Sequence, residues 1–273
     1  MPELPEVETV KETLKRQILN KTITGCNIYY SNIIASPTPN KFKKLIVNNK
    51  INDIKRRGKW LIFDLDNYYL LSHLRMEGKY FYKDSNKELL KHEHIVFKLD
   101  DGKELRYHDT RKFGKMYLIK RNELNKCKPM LSLGLEPWDN NLNSKYLKDK
   151  YKNKKLPIKT VLLDQSIIAG IGNIYADEIL FLSHINPHRK AYTITKKECD
   201  SIIDNTKKVL ERAIKLGGST IHSYTSSEGV TGKFQNELYI YGRAHEKCIN
   251  CGNEVKKDYI GGRGTHYCSK CQK

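Results

Sequence analysis

The chain has 273 residues, with 50 Lys and Arg against 31 Asp and Glu and a formal net charge of +19; this length accommodates a sizeable core, and two domains more readily than one. No basic-then-apolar leader opens the sequence and no apolar run approaches the roughly 18 residues of a membrane span, so the cytoplasm is the expected compartment and no membrane partner is expected. The charge attracts polyanions, nucleic acid ahead of an anionic membrane because no single amphipathic helix gathers the basic residues; an ordinary solvated lysine-rich surface is its other meaning.

In chain order, Val7, Val10 and Leu14 fall at helical spacing over residues 6–17, with Ile18 one turn further. Pro5 suits a first helical turn, and Glu6 and Glu8 complement the positive end of the helix dipole. Pro2 and Glu3 precede this helix and are not explained by it. Residues 22–119 change to short β-rich runs such as "ITGCNIYY", "KWLIFDL", "YYLLSHL", "KYFY", "HIVFKL", "ELRYH" and "KMYLI". Asp101-Gly102 is a strong hairpin signal and Asp66-Asn67 a weaker one, and strands at this spacing suggest an antiparallel sandwich. Residues 122–153, with Pro129, Gly134, Pro137 and many Asn and Lys, read as a connector. After Pro157 the helical period returns: a helix, a turn at Gly170 to Gly172, and a second helix stopped near Pro187. A third, amphipathic helix is capped at Thr195 and ended by Gly217-Gly218.

Chemistry concentrates in a few motifs. Cys248-x2-Cys251, sixteen residues, then Cys268-x2-Cys271 matches a four-cysteine zinc ribbon, with one structural zinc as the expected cofactor. Paired disulfides are the alternative, disfavoured in a cytosolic chain. Cys26, Cys127 and Cys199 lack such spacing and read as packing residues. Between the cysteine pairs, "YIGGRGTHY" lets glycines bring Arg263 close to a phosphate, or is a plain hairpin turn with a solvated arginine. In "DTRKFGK", Arg111 and Lys112 beside Phe113 combine cation and aromatic in the manner used to grip phosphate and wedge into a base stack; Phe113 as core is the competing reading. Met76 alone reads as a core filler, and His73 and His92 as satisfied structural histidines. "GIGNIYADE" offers backbone amides at a helix start with Asn173 as a polar contact, a weak phosphate-seat signal that does not extend to a nucleotide fingerprint.

Together "MPELPEVETV", "RRGKWLIFDL", "HLRMEG", "LRYHDTRKFG", "GIGNIYADE", "LYIYGR" and the four-cysteine tail resemble the formamidopyrimidine-DNA glycosylases, bifunctional repair enzymes for oxidised purines, in that family's order over nearly the whole chain. The resemblance implies an α+β multidomain fold: an N-terminal helix and β-sandwich catalytic domain (1–130), a linker (131–152), a helix-two-turn-helix DNA-binding domain (153–243) and a zinc ribbon (244–273), with DNA in a basic cleft between the halves. Removal of Met1 would expose the Pro2 amine as the nucleophile. Attack on the sugar expels the base and forms a Schiff-base iminium. Glu3 is then the acid and proton shuttle, with Glu6 in support unless it is only a helix-start residue. Lys59 assists elimination beside a phosphate, and Arg263 holds the flanking phosphates and serves the second elimination. His92, Arg111, Lys112, Lys154, Asn173 and Tyr241 are implied DNA contacts. Met76, Arg111 and Phe113 fill the void left by the everted nucleotide, Arg111 facing the orphaned base. Residues 225–234 resemble the family's lid. The partner is double-stranded DNA carrying oxidised purines (8-oxoguanine opposite cytosine, formamidopyrimidines) or abasic sites, and the enzyme is a monomer. Lys112 stands where many relatives have arginine, which keeps charge and loses bidentate geometry. An endonuclease VIII-type enzyme for oxidised pyrimidines and a non-catalytic zinc-ribbon DNA-binding protein are the rivals.

Overall fold

The computed structural model describes residues 1–219 and 232–273. The chain divides into two compact units, Met1–Leu131 with Gly217–Gly232, and Ser132–Leu216 with Lys233–Lys273.

The first unit opens with α1 (Leu4–Ile18), whose Val7, Val10, Leu14 and Ile18 are fully buried, as the spacing predicts. The helix begins two residues earlier than expected because Glu3 serves as its N-cap. Nine strands and two helices follow, first in the order β1 (Thr22–Ile28), β2 (Ile34–Ser36), α2 (Pro39–Ile46), β3 (Asn49–Arg57), β4 (Trp60–Leu65) and β5 (Tyr68–His73). Then come β6 (Lys79–Asp84), β7 (Glu93–Leu99), β8 (Lys103–His108), β9 (Lys115–Lys120) and the short α3 (Lys128–Leu131). The hydrogen-bonded order is β2-β9-β5-β4-β3-β1-β7-β8-β6. The β1 to β3 junction pairs only Thr22 with Lys50 and Ile23 with Asn49, so the sheet folds into two leaves joined by a narrow seam. The leaves face one another: Phe63 of β4 meets Tyr80 of β6 with ring centres 5.6 Å apart, and the Tyr80 hydroxyl donates to Ser72 Oγ of β5 at 2.7 Å. This is the expected sandwich.

Four elements of this unit depart from the sequence reading, the short α3 in the expected connector being one. β2 is short and pairs parallel to β9; α2 buries only Phe42 and Ile46; β3 buries Asn49, Ile51 and Ile54 in a strand otherwise rich in charged and polar residues. Asn49 binds the seam locally, its Nδ2 donating to Leu45 O at 2.9 Å and its Oδ1 accepting from Asn67 N at 3.2 Å.

The second unit contains α4 (Ser144–Tyr151), α5 (Ile158–Leu162), α6 (Asn173–Leu182), α7 (Lys196–Lys215) and the hairpin β10 (Lys256–Ile260) and β11 (Arg263–Tyr267). The stretch 131–152, expected as a linker, differs from that reading: Asn143 Oδ1 caps α4 through Tyr146 N at 2.9 Å, and Leu147 and Tyr151 are fully buried at i and i+4, where the helix packs against α7. Its polar remainder concealed the pair. α7 matches expectation, with a capping box from Thr195 and Glu198 and Gly217 beyond its end. Phe181, Ile240, Val255, Cys248 and Cys268 form a small core joining α6 to the cysteine-bearing hairpins. Among the described residues no helix is long and apolar enough to cross a membrane.

Candidate active site

In the first unit, Pro2 is buried and Glu3 is 2 % exposed at the positive end of α1. Glu6 does more than start the helix. Its Oε2 accepts from Glu3 N at 2.8 Å, and its Oε1 accepts from Ser219 N at 2.7 Å and from Ser219 Oγ at 3.3 Å. Gly218 makes this possible, since φ is +80° and a methyl group there would lie 2.7 Å from Glu6 Oε1. Glu8, by contrast, accepts from Arg56 Nε at 2.7 Å and pins the helix to β3.

Lys59 is buried at the start of β4, next to β5. Burial first, and then the charges of Arg75 and Lys59, pull the His73 pKa down to about 3. His73 is therefore neutral, its Nδ1 accepting from Arg75 N at 3.0 Å and its ring set edge-on to Trp60. His94 and His108 are also lowered, again chiefly by burial. A lowered histidine keeps the folded state neutral while the unfolded chain binds a proton below its ordinary value. Stability therefore falls as pH drops from about 6.5 toward 3, His73 contributing up to about 1.4 kcal/mol per pH unit. Urea unfolding at pH values between about 6.5 and 5 is expected to show this slope, flattened in a His73→Gln variant.

Met76 is half-buried in the turn between β5 and β6. His92 is half-buried against His108 and His94. Arg111, Lys112 and Phe113 project from the turn between β8 and β9, with Phe113 50 % exposed and the Arg111 guanidinium 4.9 Å from its ring centre. Phe113 is thus not core. The Lys112 ammonium lies over the Tyr30 ring at 4.8 Å. Cys26 and Cys199 are buried packing residues, their thiols pushed up to about 12 and about 11 by burial; Cys127 is half-buried. The expected lid over residues 225–234 lies, through residue 231, outside the described residues.

In the second unit Arg263 is exposed at the tip of the β10–β11 hairpin, beyond a turn made by Gly261 and Gly262. Asn173, the first residue of α6, donates to Gly264 O at 2.9 Å, and Tyr241 packs against His266 with ring centres 4.9 Å apart. The structure thus gathers Asn173, Tyr241 and Arg263 about one hairpin. Lys154 lies apart from these contacts, 3.7 Å from Asp164.

Two buried supports, one of the hairpin and one of the segment bearing Tyr241, give little sequence signal of their own. Lys159, fully buried, donates to Gly264 O at 3.0 Å and Thr265 Oγ1 at 2.8 Å and pairs with Asp177 at 2.7 Å; Asp177 Oδ2 accepts from His266 N at 2.9 Å. Glu178, also fully buried, accepts from the backbone amides of Tyr239, Ile240 and Tyr241 at 2.8, 3.0 and 2.8 Å, and its pKa is raised because burial outweighs those bonds. Both carboxylates lie on the buried face of α6, where their only signal is charge at apolar positions. Replacing Lys159 with Met strands the Asp177 charge, and denaturant unfolding is expected to show a loss of about 3–5 kcal/mol.

The ligand atoms of Cys248, Cys251, Cys268 and Cys271 lie within 4.8 Å of one another. Sγ separations of 3.9 Å (Cys248 to Cys271) and 3.5 Å (Cys251 to Cys268) bracket the roughly 3.8 Å edge of a zinc–thiolate tetrahedron and far exceed a disulfide bond of about 2.05 Å. The four thiols form a structural zinc site; all four ligand positions are filled by protein, leaving none for substrate.

Comparison with known proteins agrees with this arrangement. Three family models match in order: the formamidopyrimidine-DNA glycosylase N-terminal domain over residues 1–116, the formamidopyrimidine-DNA glycosylase H2TH domain over 133–225, and a zinc finger found in FPG and IleRS over 246–273. A formamidopyrimidine-DNA glycosylase of Cytobacillus firmus is 43 % identical over 273 residues, all of each chain. A Lactococcus lactis FPG mutant in complex with Fapy-dG-containing DNA superposes with a TM-score of 0.94 at 38 % identity, covering 100 % of both chains. A complex of Lactococcus lactis Fpg with abasic-site DNA gives 0.93 at 39 % identity, covering 99 % of both.

Proposed function

This chain belongs to the formamidopyrimidine-DNA glycosylase family, and from that membership and the geometry of its N-terminus we infer that it repairs oxidised purines in duplex DNA by base excision. It is an N-glycosylase for 8-oxoguanine and formamidopyrimidines and an AP lyase that cuts the strand by successive β- and δ-elimination. The observation that carries the residue assignments is Pro2 and Glu3 buried together at the positive end of α1, in a chain that matches the family from end to end.

Once Met1 is removed, the Pro2 nitrogen is a secondary amine at a helix N-terminus, where the dipole disfavours the ammonium form that cannot attack. It adds to the anomeric carbon, the base leaves, and the resulting iminium is the electron sink for elimination. Glu3 supplies and removes protons at the sugar; Glu6, holding the Glu3 backbone, fixes where that carboxyl sits. Lys59 contacts a phosphate next to the lesion and assists elimination; Arg263 holds the phosphates flanking the lesion and serves the second elimination. His92, Lys112, Lys154, Asn173 and Tyr241 hold the DNA backbone. Met76, Arg111 and Phe113 occupy the vacated stack, a role that the half-exposed Phe113 suits. The net charge of +19 supports polyanion binding, and duplex DNA as substrate supports a cytoplasmic location.

Borohydride reduction on a duplex carrying 8-oxoguanine opposite cytosine tests the assignment. A reduced cross-link mapped to Pro2 by mass spectrometry is expected; a cross-link mapped to a lysine would move the nucleophile elsewhere.

A further inference from the structure

Asp109 follows β8 and is fully buried, yet it is the centre of the loop that displays Arg111 and Phe113. Its Oδ1 accepts from Arg111 N at 3.1 Å; its Oδ2 accepts from Gly114 N at 2.8 Å and from the Tyr107 hydroxyl at 3.4 Å. Its carbonyl accepts from Lys112 N at 3.2 Å and lies 3.0 Å from His94 Nε2. The loop is wound around one carboxylate, whose charge is met by converging N–H groups. Within this winding Lys112 takes φ +58°. Tyr107 extends the node: a methyl group at either Gly114 or Gly78 would overlap its hydroxyl, so one phenol is wedged against the loop bearing Phe113 and the turn bearing Met76.

We propose that Asp109, braced by Tyr107, is the positioning residue that fixes Arg111 toward the base opposite the lesion and thereby sets the enzyme's opposite-base choice. The inference rests on the reading above in which Arg111 faces the orphaned base. Asp109 itself is sealed from DNA. An arginine on an unbraced loop samples many directions, and its contact with a base edge discriminates only while the guanidinium is held in one of them. Asparagine at 109 keeps the shape of the side chain but puts an NH2 donor against one of the N–H groups that the carboxylate now accepts, and the winding relaxes.

The test is the ratio of kcat/KM for 8-oxoguanine opposite cytosine to that opposite adenine, taken on one preparation of full-length, zinc-loaded protein so that the folded fraction cancels. Arg111→Ala is expected to lower the ratio by roughly tenfold, and Asp109→Asn to lower it by a similar roughly tenfold. Should Arg111→Ala leave the ratio at the parental value, the reading of Arg111 fails and the proposal falls with it. If Arg111→Ala collapses the ratio while Asp109→Asn retains it, Asp109 is merely structural and the proposal alone is overturned. Where Asp109→Asn yields no folded protein, Tyr107→Phe decides on the same scale. It removes one hydroxyl from a buried ring, and a fall of about threefold is expected, against no change if the node does not position Arg111.

Discussion

A Glu3→Gln variant is expected to lose base excision by about 10²–10⁴-fold while binding an uncleavable abasic-analogue duplex within about threefold of the parent. The amide cannot donate or accept the proton that ring opening requires, but it preserves the side-chain volume at a position 2 % exposed. Pro2→Gly removes the ring that fixes the nitrogen lone pair relative to α1 and leaves a flexible primary amine. Single-turnover excision is expected to fall by about a hundredfold, with the borohydride adduct reduced in parallel. If either variant cleaved 8-oxoguanine duplex at the parental rate, the amine and carboxyl roles assigned here would be wrong. Binding retained with chemistry lost also separates this enzyme from a zinc-ribbon DNA-binding protein, in which neither residue would affect anything but folding.

The second large effect is metal removal. Binding of a structural zinc to four thiolates is worth about 10–16 kcal/mol, most of it available only to the folded ribbon. Cys268→Ser is expected to take bound zinc from one per chain to near zero and to add an early step to thermal unfolding. The step arises because Cys248, Cys268 and Val255 share a core with Phe181 and Ile240. The exposed hairpin tip that carries Arg263 then loses its fixed position. We expect DNA affinity to fall by at least about tenfold and strand products to accumulate at the β-elimination stage, read on a denaturing gel beside metal analysis.

Periodicity in the sequence was sufficient for α1 and α7, where apolar residues recur at helical spacing and caps mark the ends, and for the hairpins with two-residue turns. It failed where an element buries little. α2 hides a pair of side chains, α4 another pair, and β3 is charged on its outer face, so each reads as loop until its neighbours are in place. The zinc centre was readable from spacing alone, because ligands held by short C-x2-C steps are close whatever the fold. Pro2 and Glu3 were different. Their chemistry came from the family resemblance, since neither residue forms a spacing pattern. Asp109, Lys159 and Glu178 carry no such signal: Lys159 and Glu178 act through backbone groups distant in sequence, and Asp109 binds amides of its own loop but shows its burial only in the fold.

The narrow seam between β1 and β3 bears on how the protein reaches its native state. On one side β3, β4 and β5 form a meander of sequence neighbours, and on the other β7 and β8 form a tight hairpin to which β6 adds, so each leaf has a short-range nucleus, to which β9 and β1 pair over longer separations. The seam between them is two residue pairs, with the Asn49 side chain bonded to Leu45 and Asn67 beside it. We expect hydrogen exchange to resolve the sandwich into two foldons, with the amides of the seam opening before those within either leaf.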